Sequence, residues 1–238
     1  MIQGKRILVV VPARGGSKGI PLKNLRPVLG VPLVARVGHL IRHMPEIDRA
    51  VVSTDHGEIV RVAEQSGLDA PFMRPQDLSG DVIADWQVLL HALEAVEKLD
   101  GVTYDIIVML QPTSPIRDKH DVIGTVNMLV DEGLDAVWTL SETDSKSHPL
   151  KQLAVTEGRL DYYDPQGATI IARQQLTPVY HRNGVAYAMT RRCLVEGQAI
   201  KGERTGAYLI EGMCVSIDTE WDIELVEFIL KRRDGGAA

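Results

Sequence analysis

The chain has 238 residues, of which 45% are hydrophobic and 24% are charged, as is typical of a folded globular domain and not of a disordered chain. Its net charge of −6 and its 5% of aromatic residues argue against a broad nucleic-acid-binding surface. Two cysteines without a C-x-x-C pair indicate no disulfide framework and favour a reducing cytoplasm. The first apolar run, Ile7–Pro12, is too short for a signal-peptide core or a membrane span, so no membrane partner is expected.

Strands and helices alternate through the first 140 residues. Continuous apolar runs predict buried strands at 7–11, 50–53, 105–110 and 136–140. Apolar residues at helical spacing, with glycines as stop signals, predict helices at 32–44, 58–66, 85–99 and 119–132. Strand–helix alternation of this kind predicts an α/β fold with a mainly parallel sheet.

The second part of the chain has a different pattern. Residues 141–180 are polar and rich in turn residues, and we interpret them as a β-hairpin excursion from the sheet. Strands are predicted again at 184–189 and 213–217, and a helix at 219–232 closes the chain. No linker or repeat interrupts residues 1–238, which we interpret as one domain.

The first predicted strand leads into a glycine-rich loop, Arg14-Gly15-Gly16-Ser17-Lys18-Gly19. The carboxyl end of a strand in an open α/β sheet is where ligands bind. Glycines let backbone N–H groups approach phosphate oxygens, and Arg14, Lys18 and Lys23 supply positive charge. The loop lacks both the P-loop and the dinucleotide-binding patterns, so a tight turn with solvated cations is the structural alternative.

Two further segments carry polar side chains after predicted strands. Gln111-Pro112-Thr113-Ser114-Pro115-Ile116-Arg117 is either a ligand-binding loop or a proline-stiffened turn. In Ser216-Ile217-Asp218-Thr219-Glu220-Trp221-Asp222, the carboxylates suit a Mg²⁺ ion held between protein and phosphate oxygens. Asp218 or Thr219 can instead cap the last helix, and different residues can serve both roles.

Taken together, the motifs resemble the acylneuraminate cytidylyltransferases, the CMP-sialic acid synthetase family. The resemblance rests chiefly on residues 11–24, VPARGGSKGIPLKN. Further segments agree in order along nearly the whole chain: Ser53-Thr54-Asp55, Arg74-Pro75, Gln111-Pro112-Thr113-Ser114-Pro115, Arg182-Asn183-Gly184-Val185-Ala186-Tyr187 and Ile217-Asp218-Thr219. The resemblance implies a Rossmann-like, three-layer nucleotidyltransferase fold. It also implies transfer of CMP from CTP to an α-keto acid sugar, with release of pyrophosphate.

The resemblance also implies roles for individual residues. The expected catalytic residues are Arg14, Lys23 and Asp218. The expected nucleotide-binding residues are Ala13, Gly15, Gly16, Ser17, Asn24, Arg74 and Asp85, the last standing where a serine is expected to meet the nucleoside. The expected sugar-acid contacts are Gln111, Arg173 and Asn183. Asp218 is the expected main ligand of Mg²⁺ or Mn²⁺, with Asp222 a weaker one, because Ser216 replaces an aspartate that is frequent in the family.

Two other functions remain open from the sequence. A nucleotidyltransferase of the same fold could act on a sugar 1-phosphate or a phosphonate, since Lys151, Arg173 and Arg182 are available to bind an anionic acceptor. The second open function is that of a non-catalytic nucleotide-binding homologue. The loss of Lys23 or Asp218 would favour it, but both residues are present. In the resembling family a hairpin reaches across to a partner chain, so the 141–180 excursion predicts a homodimer. The alternative is a flap that closes over the pocket of its own chain.

Overall fold

A six-stranded sheet forms the centre of the protein in a computed structural model, which describes residues 1–235. The strands are β1 (Ile7–Pro12), β2 (Pro27–Val28), β3 (Val31–Pro32), β4 (Arg49–Ser53), β5 (Ile106–Met109), β6 (Ala136–Glu142), β7 (Leu153–Thr156), β8 (Arg159–Tyr162), β9 (Tyr180–Thr190) and β10 (Thr205–Leu209). The helices are α1 (Leu33–Ile41), α2 (Gly57–Ser66), α3 (Asp85–Asp100), α4 (Lys119–Asp131), α5 (Arg191–Val195) and α6 (Glu220–Gly235). The central sheet has the order β10-β6-β9-β5-β1-β4.

The side chains of β1 explain the three layers. Ile7, Val9 and Val11 pack in one apolar cluster with residues of α1, α2 and α4. Leu8 and Val10 point to the opposite face and pack with residues of α3 and α5. Because successive side chains of a strand alternate between faces, a strand that is apolar throughout needs cover on both sides. The predicted three-layer α/β fold is therefore confirmed.

Strand β9 is antiparallel to both of its neighbours, β5 and β6, whereas β1 pairs in parallel with β4 and β5. The sheet is thus mainly parallel, as predicted. The chain leaves the sheet after Glu142 and returns at Tyr180, two residues that pair directly. Between them lie the separate β7–β8 hairpin and three short 3-10 turns.

The prediction of a strand at 213–217 is wrong. The chain there is irregular, and the Ile217 N–H donates to the carbonyl of Thr113 outside any ladder. The edge strand is instead β10, which pairs in parallel with β6. Since the β10 segment, Thr-Gly-Ala-Tyr-Leu, contains Gly and Ala, which are depleted in strands, it gives a weak strand signal in the sequence.

The helix predictions hold with shifted ends. The helix predicted at 32–44 spans only Leu33–Ile41, while α2 ends where Gly67 adopts a φ of +108°. That left-handed conformation favours glycine at the end of a helix. Among residues 1–235, no helix combines the length and apolar character that crossing a lipid bilayer requires.

Candidate active site

A cavity of about 410 Å³ opens at the carboxyl edge of the sheet. Its walls come from the loop after β1, the segment that leads into α3, the loop after β5 and the segment before α6. It gathers eight residues predicted for the site: Arg14, Ser17, Lys23, Asn24, Arg74, Asp85, Gln111 and Asp218. Parallel strands end at the same edge of a sheet, which is why residues so distant in sequence meet here.

The glycines of the first loop shape its path. The Gly15 N–H donates to the Asp55 carboxylate at 2.7 Å, and a Cβ on Gly19 would lie 2.6 Å from the carbonyl oxygen of Asp218. Ala13 is fully buried and its N–H donates to Ser53. Ala13, Gly15 and Gly16 do not line the cavity, whereas Ser17 and Gly19 do.

Arg14 and Lys18 share one carboxylate across the cavity. Asp81 lies 2.7 Å from the Arg14 guanidinium and 2.5 Å from the Lys18 ammonium. Hydrogen bonds from Lys18 and Arg14 lower the pKa of Asp81 below its usual value. Because phosphate oxygens form the same charge-assisted bonds to Arg and Lys, these two cations are placed for a phosphate group.

Lys23 connects the first loop to the segment before α6. Its ammonium donates to the Ile217 carbonyl and to the Asp218 carboxylate, both at 2.8 Å. The Lys23 side chain is 16% exposed, and that of Asp218 is 75% exposed. The ammonium is therefore held in place at the cavity wall, while the carboxylate remains open to solvent and ligand.

Arg74 forms the buried side of the cavity. Its guanidinium donates to the hydroxyl and the carbonyl of Ser53, and burial lowers its pKa to about 10. Asn24 is also buried and donates to the Arg14 carbonyl at 3.0 Å. Burial raises the pKa of the nearby Asp85, against the opposing charges of Arg182 and Arg74.

The backbone of Gln111 is held by Arg117, a residue of the same loop. Arg117 is buried and donates to the carbonyls of Gln111, Gly184 and Val185. Ser114 also points inward and donates to the Asn183 carbonyl. These bonds join the loop after β5 to strand β9. Local sequence contains no signal for this burial, because the accepting carbonyls come mostly from a strand about 70 residues away.

Two predicted sugar contacts do not line this cavity. Asn183 is buried, and its amide donates to Ser141 and accepts from Thr139, so its polar atoms are satisfied internally. Arg173 lines a different cavity of about 680 Å³, between the excursion and residues 212–214. Within one chain, the structure does not bring Asn183 or Arg173 to Lys23.

The two predicted metal ligands, Asp218 and Asp222, have different roles in the structure. Asp222 accepts hydrogen bonds from the N–H groups of Asp218 and Thr219 and from the Thr219 hydroxyl, so it caps the start of α6. Asp218, but not Asp222, lines the cavity. Among residues 1–235, no three His, Cys, Asp or Glu side chains form a metal-binding group. This donor set fits an ion bound mainly by substrate phosphates and one carboxylate, which is a common arrangement for Mg²⁺.

Comparisons with known proteins found related sequences and a related fold. The chain is 31% identical over 229 residues to a CMP-N,N'-diacetyllegionaminic acid synthase of Legionella pneumophila, covering 92% of this chain and 93% of the relative. It is 27% identical over 226 residues to a pseudaminic acid cytidylyltransferase of Campylobacter jejuni, covering 94% and 96%.

A CMP:2-keto-3-deoxy-manno-octonic acid synthetase, solved in complex with CTP, shares the fold with a TM-score of 0.67 at 19% identity. The alignment covers 96% of this chain and 99% of that one. The family model described as Cytidylyltransferase matches residues 8–229, and the resemblance seen in the sequence motifs is confirmed. The chain belongs to the cytidylyltransferase family, and it is a nucleotidyltransferase.

Proposed function

We propose that this protein transfers CMP from CTP to the anomeric hydroxyl of a sialic-acid-like α-keto acid sugar. The observation that carries the proposal is the single cavity that joins Arg14, Lys18 and Lys23 to Gln111 and Asp218. Several cations at one end suit a triphosphate, and the polar loop after β5 leaves room for a second substrate. The relatives named for CMP-legionaminic and pseudaminic acid chemistry support the choice of an acidic sugar.

In this reaction the anomeric oxygen attacks the α-phosphorus of CTP. A phosphorus–oxygen bond to the sugar forms, the bond to pyrophosphate breaks, and the hydroxyl proton is released. Negative charge grows on the leaving pyrophosphate, where Arg14, Lys18 and Lys23 stabilise it. The carboxylate of Asp81 has to leave Arg14 and Lys18 before phosphate oxygens can take its place.

We propose that Mg²⁺ or Mn²⁺ assists this step. Asp218 is the protein ligand, because it lines the cavity and its carboxylate is largely exposed. The ion, when bound, neutralises phosphate charge and so favours departure of pyrophosphate. The capping role of Asp222 keeps its Oδ2 atom on the N–H groups of Asp218 and Thr219, just before α6.

A turnover panel tests the proposed reaction. Pyrophosphate release is measured with CTP and with sialic, legionaminic, pseudaminic or deaminated nonulosonic acid, and sugar 1-phosphates and phosphonates serve as competing acceptors. We expect release with CTP and at least one of the sugar acids. Release only with a phosphorylated acceptor would favour the alternative transferase, and no release with any acceptor would favour a non-catalytic homologue.

We also propose that the protein is a homodimer joined through the β7–β8 hairpin. Leu153 faces Tyr162 and Val155 faces Leu160 across the hairpin, so the four side chains share one face. The exposed fractions of these side chains are 41% to 68%. An uncovered apolar face of this kind is unusual on a two-stranded hairpin. A second copy of the excursion would cover this face, and Arg173 could then complete the partner's sugar site.

Leu160→Asp is expected to convert the dimer to a monomer and to raise the KM for the sugar acid. A carboxylate in the centre of an apolar interface loses its hydration without gaining a partner. Sedimentation at micromolar concentration measures the assembly. Thr156→Asp, which places the same charge on the opposite face of the hairpin, serves as the control. A wild-type chain that sediments as a fully active monomer contradicts both the dimer and the shared site.

A further inference from the structure

Strand β9 contains a large bulge beside the carboxyl end of β5. The two β6 residues that flank Thr139 pair with the β9 residues that flank 183–186, so four residues of β9 face one residue of β6. A bulge of this kind leaves backbone groups without partners in the sheet, and bulges are common beside active sites. Because these groups are buried, side chains have to supply their hydrogen bonds.

The loop after β5 supplies most of those hydrogen bonds to the bulge. The guanidinium of Arg117 donates to the carbonyl of Val185 at 2.5 Å and to the carbonyl of Gly184 at 3.0 Å. The same guanidinium donates to the carbonyl of Gln111 at 2.7 Å. Ser114 donates to a further carbonyl of the bulge at 2.8 Å. Arg117 therefore holds the backbones of Gln111 and Gly184 side by side.

Arg117 is a buried cation without a carboxylate partner. Only 7% of the residue is exposed, and among residues 1–235 it forms no ion pair within 4 Å. Asp121 instead accepts from the Asp118 N–H and lies 3.2 Å from a ring nitrogen of His120. Burial lowers the pKa of Arg117 to about 10, so the guanidinium stays charged at neutral pH. A desolvated charge is costly, and here three charge-assisted bonds to carbonyls offset that cost.

The side chain of Gln111 packs against the bulge. Gly184 has a φ of +73°, and a Cβ at this position would collide with the Gln111 Oε1 and the Ser114 Oγ atoms. Glycine therefore leaves the space that the Gln111 amide occupies. Among residues 1–235 this amide makes no hydrogen bond, and Gln111 lines the active-site cavity. Its two donors and one acceptor are available to a ligand rich in hydroxyl groups.

We propose that Arg117 is a positioning residue for the acceptor, because it fixes Gln111 against the bulge of β9 where the side-chain amide meets the sugar acid. The inference rests on the proposed function, in which the triphosphate lies on the cations of the first loop and the acceptor lies beside the loop after β5. Arg117 does not line the cavity, so it acts on the substrate through Gln111. A displacement of about 1 Å of a substrate-positioning group can cost roughly 100-fold in rate.

Arg117→Lys in the full-length protein tests this role. Lysine keeps the charge, but one ammonium does not reproduce the planar fork that reaches three carbonyls. Sialic, legionaminic and pseudaminic acids are supplied one at a time, and kcat/KM for the acceptor is expected to fall roughly 10- to 100-fold. The Kd of CTP, measured by calorimetry without an acceptor, should keep its wild-type value.

Arg36→Lys is the matched control for this variant. Arg36 also donates to a backbone carbonyl, that of Val28, and it lies outside the cavity lining. Both the acceptor kcat/KM and the Kd of CTP should stay at their wild-type values in this control.

A double-mutant cycle with Gln111→Ala separates positioning from a general structural role. If Arg117 acts through Gln111, Arg117→Lys costs little once the amide is gone, so the two losses in kcat/KM do not add. Ser114→Ala removes one bond to the bulge and should show the same pattern at a smaller size, also where Arg117→Lys does not fold. Additive losses, an unchanged acceptor kcat/KM in folded Arg117→Lys, or an equal loss of CTP affinity would overturn the inference.

The proposed reaction can fail separately from this inference. If the wild-type protein turns over none of these acceptors, the reaction is wrong, and the NMR signal of the Gln111 side-chain amide decides the positioning role. That signal is identified by its loss in Gln111→Ala. It should move in Arg117→Lys and stay in place in Arg36→Lys. A signal that stays in place in a folded Arg117→Lys protein overturns the positioning role.

Discussion

Lys23→Ala is expected to lower the turnover number by a few hundredfold while the protein stays folded. The Lys23 ammonium is fixed at the cavity wall by the Ile217 carbonyl and the Asp218 carboxylate. In the proposed reaction, the ammonium in that position meets negative charge that grows on the leaving pyrophosphate. Loss of one preorganised electrostatic interaction of this kind raises the activation free energy by about 3–4 kcal/mol. Steady-state pyrophosphate release with saturating CTP measures the effect.

The matched control for this variant is Lys231→Ala on α6. Lys231 is also paired with a carboxylate, Glu227, but it lies outside the cavity lining. Its removal should leave turnover close to the wild-type value. Thermal unfolding of both variants checks that the fold is retained. A Lys23→Ala protein with normal turnover would remove this residue from the proposed mechanism.

Asp218→Asn is expected to abolish activity or to raise sharply the Mg²⁺ or Mn²⁺ concentration that half-maximal activity requires. An amide lacks the negative charge that makes a carboxylate a good ligand for a hard cation. Ser216 offers no carboxylate to replace it, so metal binding should already be weaker than in relatives with two aspartates. Activity measured across a metal titration, with EDTA as the zero point, tests this role.

Asp222→Asn provides the contrast within the same segment. Asp222 caps α6, so its replacement should lower the free energy of unfolding by about 1 kcal/mol. The metal dependence of the remaining activity should match that of wild type. Full activity of the wild-type protein in excess EDTA would contradict the metal requirement itself. A metal dependence that changes equally in Asp218→Asn and Asp222→Asn would contradict the assignment of the metal to Asp218.

The sequence predicts best those parts of the site that follow directly from a buried strand. Arg14, Ser17 and Lys23 lie where the glycine loop after β1 suggested, because strand direction alone places that loop at the ligand-binding edge. Gln111 follows β5 in the same way. These predictions need only local pattern and the rule that parallel strands end together.

The other residues depend on contacts that local pattern does not encode. Asn183 turns its amide toward Ser141 and Thr139, and Arg117 is buried beneath Gln111, because β9 enters the sheet between β5 and β6. Arg173 lies on the excursion and lines a different cavity from the first loop, so its proposed role depends on the proposed dimer. The β10 strand was missed because its pairing with β6 compensates for weak intrinsic propensity.

The reversed direction of β9 has a consequence for how such enzymes diversify. Because β6 ends and β9 begins at the carboxyl edge of the sheet, both ends of the inserted segment are anchored at the edge where the cavity opens. Changes in the length of a loop whose ends are already held together cost little conformational entropy. The segment can therefore be lengthened, shortened or exchanged during evolution without disturbing the phosphate-binding loop after β1. With the shared site proposed above, changes in this segment would alter acceptor preference and leave the nucleotide-binding part of the chain unchanged.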